Sequence, residues 1–464
     1  MYGKEFYENK FNKTIGRLET VKNDYFRLRY HISQKIGWLN DPNGLCQFDG
    51  KYHIYFQYDP FDASGKNIIW GHITTADFIN YTYEQPFIFA DSNLDKDGAY
   101  SGSAVIKDNK INFFYTGNVK YNGAYDYIYK GREHNTIKIV SDNGYNFDEK
   151  ELLLSNKDYP NNMSCHVRDP KIYEENGLYY MFLGARSNDN NGLVLVYKSS
   201  DLSTFTYHMQ ITTSYDFGYM WECPDYFDIN GKKYLLVCPQ GLKSEEFNYQ
   251  NVYQSGYFPI EIDLESKKYN LGTFAELDYG FDFYAPQTFE DKKGRRILIG
   301  WMGMSDASYS NPTIENYWQH CLTIPREIKA RDNKILQSPI EELKALRKDN
   351  VDIIKYHSYE ENIFEFISYN LEKEFEIYLR KDVKLIYNND ILHLYIGESG
   401  YGKNDRKVII ESMNNLRIFS DSSSIEIFVN DGEYVLSSRI YSKEKYFSSS
   451  IKGNLYKLKS INWN

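Results

Sequence analysis

Along the first two thirds of the chain, polar turns of Asn, Asp, Gly and Lys alternate with short aromatic or aliphatic runs, each ending at a polar or small residue. The pattern occurs five times, as DGKYHIYFQYDP from Asp49, DNKINFFYTGN from Asp108, ENGLYYMFLGAR from Glu175, NGKKYLLVCPQG from Asn230 and KKGRRILIGWMG from Lys292. Runs of this kind bounded by turn residues predict strands. A second short strand precedes each one, reading in order NDPNGLCQF, SGSAVIK, RDPKIYE, ECPDYFDI and APQTFED, so each unit begins as a hairpin. Hairpins repeating at roughly sixty residues, with room for two outer strands, are the blades of a propeller, whose closure into a ring hides strand edges. Proline placement agrees. Pro42, Pro170, Pro224 and Pro286 stand near the start of the first strand of their units, where an inner edge strand tolerates a residue that cannot donate to a ladder. The competing architecture is a sandwich of unrelated hairpins, which the regularity argues against.

The pattern changes after LTIPRE. The segment SPIEELKALRKDN reads as a short helix capped by Ser338, with Pro339 in its first turn and Ile340, Leu343 and Leu346 on one face. Strands then return with a different texture, and Asn430-Asp431-Gly432 forms a hairpin turn between alternating runs. The expected fold is all-β: a five-bladed β-propeller over residues 1–335, a linker helix over 336–350 and a β-sandwich over 351–464. The sandwich is expected to pack against the propeller, a binding module being its functional alternative.

Position singles out three acids. Asp41 lies nine residues before Gly50, Asp169 eight before Gly177 and Glu222 nine before Gly231, each measured back from the glycine of its hairpin turn. Alone, each reads as a turn or cap residue. At matched positions on inner strands they should face one another across the channel. Clustered carboxylates bind cations or do acid-base and nucleophilic chemistry. Calcium wants six or more oxygens, often from a loop of alternating acids, and no such loop surrounds these three. Sugar chemistry fits better, with one carboxylate attacking the anomeric carbon, another protonating the leaving oxygen and aromatic faces stacking on the ring. Trp38, Gln57, Trp70, Ser101, Arg168, Tyr284 and Trp301 lie at or near strand ends that can line such a funnel.

Composition narrows the partners. A net charge of -10, from 64 acidic and 54 basic residues, argues against nucleic acid and anionic membranes. The N-terminal MYGKEFYENKFNK has no apolar core of a signal peptide, and no later segment is apolar for long enough to span a bilayer. Five scattered cysteines without a Cys-x-x-Cys pair suggest free thiols in a reducing compartment. A cytoplasmic enzyme acting on a small sugar, with no metal and no cofactor, is the expectation; the oligomeric state stays open.

WLNDPNG, FQYDP, WGH, SGSAV, RDPK, ECPD, DFYAPQTF and GWM, in this order from about Tyr30 to Glu327, together resemble glycoside hydrolase family 32, which includes invertases, levanases and sucrose-6-phosphate hydrolases. RIFSDSSSIEIFVNDGE resembles that family's C-terminal sandwich. The resemblance implies a retaining β-fructofuranosidase in which Asp41 is the nucleophile, Glu222 the general acid and then base, and Asp169 the group that holds fructosyl hydroxyls, with Arg168 orienting that grip. Asn40, Gln57, Ser101, Asp282 and Trp301 match positions lining the fructose pocket. One departure stands out: where many relatives carry a tryptophan shortly before WGH, this chain has Gly65 and Lys66, so the aromatic wall is expected from Trp38 or Tyr100.

HVRDPK followed by LGAR, and MWECPD followed by QSGY and DFYAPQTF, lean toward the intracellular sucrose-6-phosphate hydrolases. The alternatives are a fructan hydrolase or fructosyl-transferring enzyme and, more remotely, a sugar-binding propeller without catalysis. For a phosphorylated glucose, the basic residues on funnel-facing loops are Lys66, Arg132, His134, His166, Arg186 and Lys243.

Overall fold

The computed structural model describes residues 3–369 and 371–464; Met1, Tyr2 and Asn370 lie outside the described residues. The hydrophobic-run hairpins form as expected, and each continues into outer strands. The first sheet contains Gly37–Phe48, Lys51–Asp59, Ile69–Thr75 and Asn80–Tyr83, and the second Ala99–Lys107, Lys110–Lys120, Arg132–Ser141 and Glu151–Leu154. Met163–Glu175, Leu178–Ser187, Gly192–Ser199 and Thr206–Ile211 make the third. The fourth is built on Met220–Ile229, Lys232–Gln240, Gly256–Asp263 and Lys268–Leu271, and the fifth on Tyr284–Glu290, Arg296–Met302, Arg326–Arg331 and Lys334–Pro339. The first strands of these sheets touch in cyclic order, the fifth returning to the first. Two short pieces lock that junction: Trp318–Gln319 pairs with Gly37–Trp38 of the first sheet, and Cys321–Leu322 with Trp301–Met302 of the fifth. This is a β-propeller, and a β-sandwich follows it.

Each inner strand carries a bulge at a matched height. Asn40 and Asp41 together face Gln57, Tyr100 and Ser101 face Thr116, and Asp169 and Pro170 face Leu183. Cys223 and Pro224 face Val237, and Ala285 and Pro286 face Gly300. An extra residue breaks the ladder and re-aims side chains, which allows neighbours in sequence to turn toward the same channel. The prolines sit inside or beside these bulges, where no ladder donor is needed.

The segment read as a linker helix is a correction. Ser338 and Pro339 belong to the last propeller strand, pairing with Glu327 and Arg326, so residues 335 and 336 are one continuous strand rather than a domain boundary. The helix that follows is a 3-10 helix, Glu341–Leu346, entered from Ile340 without a side-chain cap. Its period explains this. Ile340, Leu343 and Leu346 are all buried at a spacing of three, which aligns on one face at three residues per turn and drifts around an α-helix. Each buried aliphatic contributes about 1.5–3 kcal/mol. A second difference lies at the N-terminus, where Lys4–Asn12 and Leu18–Lys22 are α-helices, Tyr7 lying among Phe11, Phe61 and Phe89 and Val21 in a cluster with Met302 and Trp318.

The sandwich has two six-stranded sheets enclosing a core that includes Phe364, Ile377, Leu385, Ile418, Ile425 and Ile427. The other face of one sheet presents Phe419, Phe428 and Val435 to propeller residues Tyr30, Leu322 and Ile324 in one continuous core. Ile418 and Phe419 thus point opposite ways, as strand alternation requires. At the chain's end, Asn462–Trp463 pairs in parallel with Asn80–Tyr81 of the first sheet, and Trp463 stacks on Tyr83 at 4.1 Å.

Candidate active site

The bulges bring the three predicted acids together. Asp41 accepts from Asn40 Nδ2 at 3.0 Å through one carboxylate oxygen and from Ser101 Oγ at 2.6 Å through the other. Asn40 is itself held, accepting from Trp38 Nε1 at 2.7 Å and donating to Gln57. Asp169 takes a positive φ of 64° in its bulge, accepts the backbone N–H of Cys223 at 2.9 Å, and donates its own N–H to Thr116 Oγ1. Glu222 receives Arg168 Nε at 3.2 Å and Nη2 on Oε1, while Gln240 Nε2 at 2.7 Å and the Tyr284 hydroxyl at 2.6 Å hold Oε2.

Cys223 joins the set. Its Sγ lies 3.7 Å from Asp41 Oδ2 and 3.6 Å from Asp169 Oδ2, so one thiol touches both carboxylates while its backbone holds one of them. Aligned on the prolines, Cys223 rather than Glu222 is the counterpart of Asp41 and Asp169, since Cys223-Pro224 corresponds to Asp41-Pro42 and Asp169-Pro170. Glu222 precedes the bulged residues, and sequence spacing alone hid the one-residue offset.

Electrostatics follow from crowding anions in a dry channel. Burial raises the Asp41 carboxyl against the opposing Ser101 hydrogen bond, and the Glu222 charge adds to the rise. Burial also pushes Asp169 up to about 7, with Arg168 pulling it down and Glu222 and Asp41 pushing further. The Cys223 thiol is driven well above its ordinary value by burial and by both aspartates, so it stands between them as a protonated donor.

The aromatic wall is Trp38, half-buried at the mouth, its indole edge-on to His320 at 4.5 Å. Gly65 explains the departure noted in the sequence. With φ at 70°, it lies so close beneath Trp38 that an added Cβ would fall 2.7 Å from the indole, so the glycine makes room for this ring. Tyr100 is half-buried with its ring 5.9 Å from His134.

Three expected pocket residues lie elsewhere. Trp70 is fully buried among Tyr55, Phe113 and Tyr115 and donates to the Tyr100 carbonyl, so it supports the second inner strand rather than lining the funnel. Trp301, only 1% exposed, packs behind Trp38, Tyr284 and His320. Asp282 is wholly buried against the sandwich, paired with Lys403 at 3.1 Å and accepting the Arg439 N–H at 2.8 Å. Each is an apolar or charged residue that sequence places beside a strand end, while the direction it faces depends on the neighbouring sheet. Gln240 escaped notice because a lone glutamine after a buried strand carries no signal.

Among the described residues no cluster of three or more His, Cys, Asp or Glu side chains is arranged to hold a metal ion, and no helix is long and apolar enough to cross a membrane. All five cysteines are free and buried.

Residues 31–339 match the glycosyl hydrolases family 32 N-terminal domain and residues 374–461 the C-terminal domain of the same family. The chain belongs to glycosyl hydrolases family 32. A sucrose-6-phosphate hydrolase of Bacillus subtilis (strain 168) is 38% identical, covering 92% of this chain and 91% of that protein. Escherichia coli raffinose invertase is 34% identical over 89% of each. Among solved structures, sucrose-6-phosphate hydrolase from Lactobacillus gasseri superposes with a TM-score of 0.89 at 26% identity, covering 98% of this chain and 97% of that one. A Bombyx mori family 32 beta-fructofuranosidase variant in complex with sucrose gives 0.86 at 28% identity, covering 99% of each. The chain is a glycoside hydrolase.

Proposed function

We propose that this enzyme hydrolyses the β-fructofuranosyl bond of sucrose 6-phosphate and sucrose inside the cell, with retention at fructose C2. The carrying observation is the convergence of Asp41 and Asp169, in their bulges, with Glu222, one residue before its bulge, each carboxylate held by different donors. Asp41, oriented by Ser101 and Asn40, attacks C2 as Glu222 delivers a proton to the leaving glucosyl oxygen. A carboxyl oxygen of Asp41 then bonds to C2, and the C2–oxygen bond to glucose breaks. In the second step Glu222 takes a proton from water, which displaces Asp41 and frees fructose. Tyr284 and Gln240 fix one Glu222 oxygen and Arg168 the other, so the carboxyl has one settled orientation for both proton transfers. Asp169, its Oδ2 held by the Cys223 N–H and near the thiol, grips fructosyl hydroxyls, and Trp38 offers an apolar face to the sugar. Free buried thiols fit a reducing interior.

The test is turnover of sucrose 6-phosphate, sucrose, raffinose and inulin by the purified protein, with the anomer of released fructose followed by NMR. Hydrolysis of the first two with initial release of the β-anomer is expected. Inulin as the best substrate would make it a fructan hydrolase, and no turnover of any would leave a sugar-binding propeller.

A further inference from the structure

Of the six basic residues singled out in the sequence, four gather on one side of the funnel mouth. Arg132 opens its strand opposite Lys120, and Arg186 ends a strand of the neighbouring sheet, so all three stand at the same rim. His166 lies between Arg168 and Arg132, and His134 packs edge-on to His166 at 5.5 Å. Lys66 and Lys243 are exposed and make no hydrogen bond or ion pair with this group.

Hydrogen-bond bookkeeping leaves donors here without acceptors among the described residues. His166 Nδ1 accepts from Arg168 Nη1 at 2.6 Å, so its proton is on Nε2, which points at the Tyr127 carbonyl at 3.2 Å. That nitrogen therefore cannot also accept from Arg132 Nη1, 3.5 Å away. Among the described residues Arg132 Nε is buried without a partner, and both ring nitrogens of fully buried His134 are equally unpaired. Among the described residues no carboxylate lies within 4.0 Å of Arg132, Arg186 or Lys120. Asp97 takes the Lys120 backbone N–H at 2.7 Å, and Glu133 the Tyr121 hydroxyl at 2.7 Å. A buried guanidinium nitrogen without an acceptor is costly unless a ligand supplies one. The crowding also lowers Arg132, chiefly through burial, and drives His134 far below its usual range, so the imidazole stays neutral and the charge rests on the two arginines and the lysine.

We propose that Arg132, with Arg186 and Lys120, forms the subsite that holds the phosphate of the leaving glucose 6-phosphate unit. The inference rests on the reading of Glu222 given above. Arg168 joins the two regions, since the guanidinium that holds Glu222 also bonds His166. A glucosyl group whose bridging oxygen meets Glu222 extends past Arg168, and its phosphate reaches the rim where Arg132 stands, beside an Arg186 whose Nε and Nη2 bond Asn190 Oδ1 at 3.0 and 2.6 Å and leave Nη1 for a ligand. Planar guanidinium groups suit a phosphate dianion, and the local positive charge offsets the repulsion from a chain of net charge -10.

The experiment compares kcat/KM for sucrose 6-phosphate and for sucrose in wild type, Arg132→Gln and Arg186→Gln. Sucrose turnover reports that each variant is folded. In Arg132→Gln the ratio of the two specificity constants is expected to fall about 10- to 100-fold, the loss of a charge-assisted bond, and to fall in KM rather than kcat. A smaller fall is expected for Arg186→Gln, and the inhibition constant of glucose 6-phosphate should weaken in parallel in both. In wild type the ratio should decline as salt rises. A ratio within twofold of wild type in both variants would overturn the subsite while leaving the proposed reaction standing. Wild type that hydrolyses neither sugar would overturn the reaction and the subsite together.

Discussion

Asp169 holds its carboxylate on a backbone with φ of 64°, a conformation that costs a non-glycine residue about 1–3 kcal/mol. Cys223, with φ of 48°, adds a second such residue beside it. Only the surrounding sheets keep these two in place, and the result is a thiol and an N–H aimed at the aspartates. Because burial raises Asp169 to about 7, its neutral form is favoured in the folded protein. An acid whose folded pKa is raised loses stability as pH climbs from its unfolded value, about 3.9, through the folded one. Asp169→Asn copies the neutral form, so its Tm is expected to equal wild type below about pH 4 and to exceed it at pH 8, while kcat falls about 100-fold or more. A variant less stable than wild type at pH 8 would mean that the carboxylate is ionised and held by Arg168. For the chemical step itself, Asp41→Ala and Glu222→Ala should each lower kcat by about three orders of magnitude or more with Tm little changed. Azide should rescue only the second, giving fructosyl azide, because azide attacks the fructosyl intermediate without a base. Rescue of Asp41→Ala instead would exchange the two roles.

Elements carry the site through paired exceptions to regular structure. The two-against-one bulge recurs on every inner strand, and it permits Asn40 and Asp41, adjacent in sequence, to bond each other and face one pocket. The wall of that pocket depends on a loop, where Gly65 lies under Trp38. Gly65→Ala must fit a Cβ 2.7 Å from the indole on a backbone that disfavours it, so Trp38 is pushed off His320. Since Trp38 Nε1 orients Asn40, which orients Asp41, both KM and kcat should worsen, by about tenfold in kcat/KM, with tryptophan fluorescence shifted. Unchanged kinetics with unchanged fluorescence would show that the loop yields freely and that Trp38 is held from elsewhere. The 3-10 helix after the last propeller strand works differently, its three buried aliphatics fastening the two domains rather than shaping the site.

At the scale of the molecule, a buried ionic network joins propeller to sandwich. His31 sits 2.9 Å from both Asp421 and Glu426, and Arg326 bonds Glu426, Gln337 and Ser437, all wholly buried or nearly so. Asp421 also accepts the Arg29 and Tyr30 N–H groups. Burial alone would lower His31, but the hydrogen bonds to the two acids outweigh it and raise the ring. The sandwich acids are held low by the same contacts against their burial. A histidine raised on folding contributes fully below its unfolded value of about 6.5, and the contribution is lost as pH rises through the higher folded value. Thermal unfolding of His31→Gln should therefore show wild type ahead at pH 6, with the gap closing toward pH 9. A gap independent of pH would mean that His31 is neutral in the fold. Arg326 also pairs with buried Asp278 at 3.4 Å, so Arg326→Met strands Asp278 and Glu426 and should cost about 3–5 kcal/mol, read from denaturant unfolding.

The sequence by itself determined the hairpins, the ring of repeats and the sandwich, because alternating burial and turn chemistry are local and leave a period in the chain. It also marked Asp41, Asp169 and Glu222, since equivalent or, for Glu222, directly adjacent positions in repeated units converge when the units close around an axis. Direction was beyond it. Trp70, Trp301 and Asp282 sit beside the same strand ends, yet which face each presents depends on a neighbouring sheet or on the sandwich, contacts far apart in sequence. The 3-10 helix likewise depends on three aliphatics finding a surface that the propeller and sandwich build together. Only tertiary structure brought Cys223 against both aspartates, gave Glu222 its three holders, and left Arg132 without a carboxylate partner among the described residues, because each of these is a relation between sheets rather than a property of any one strand.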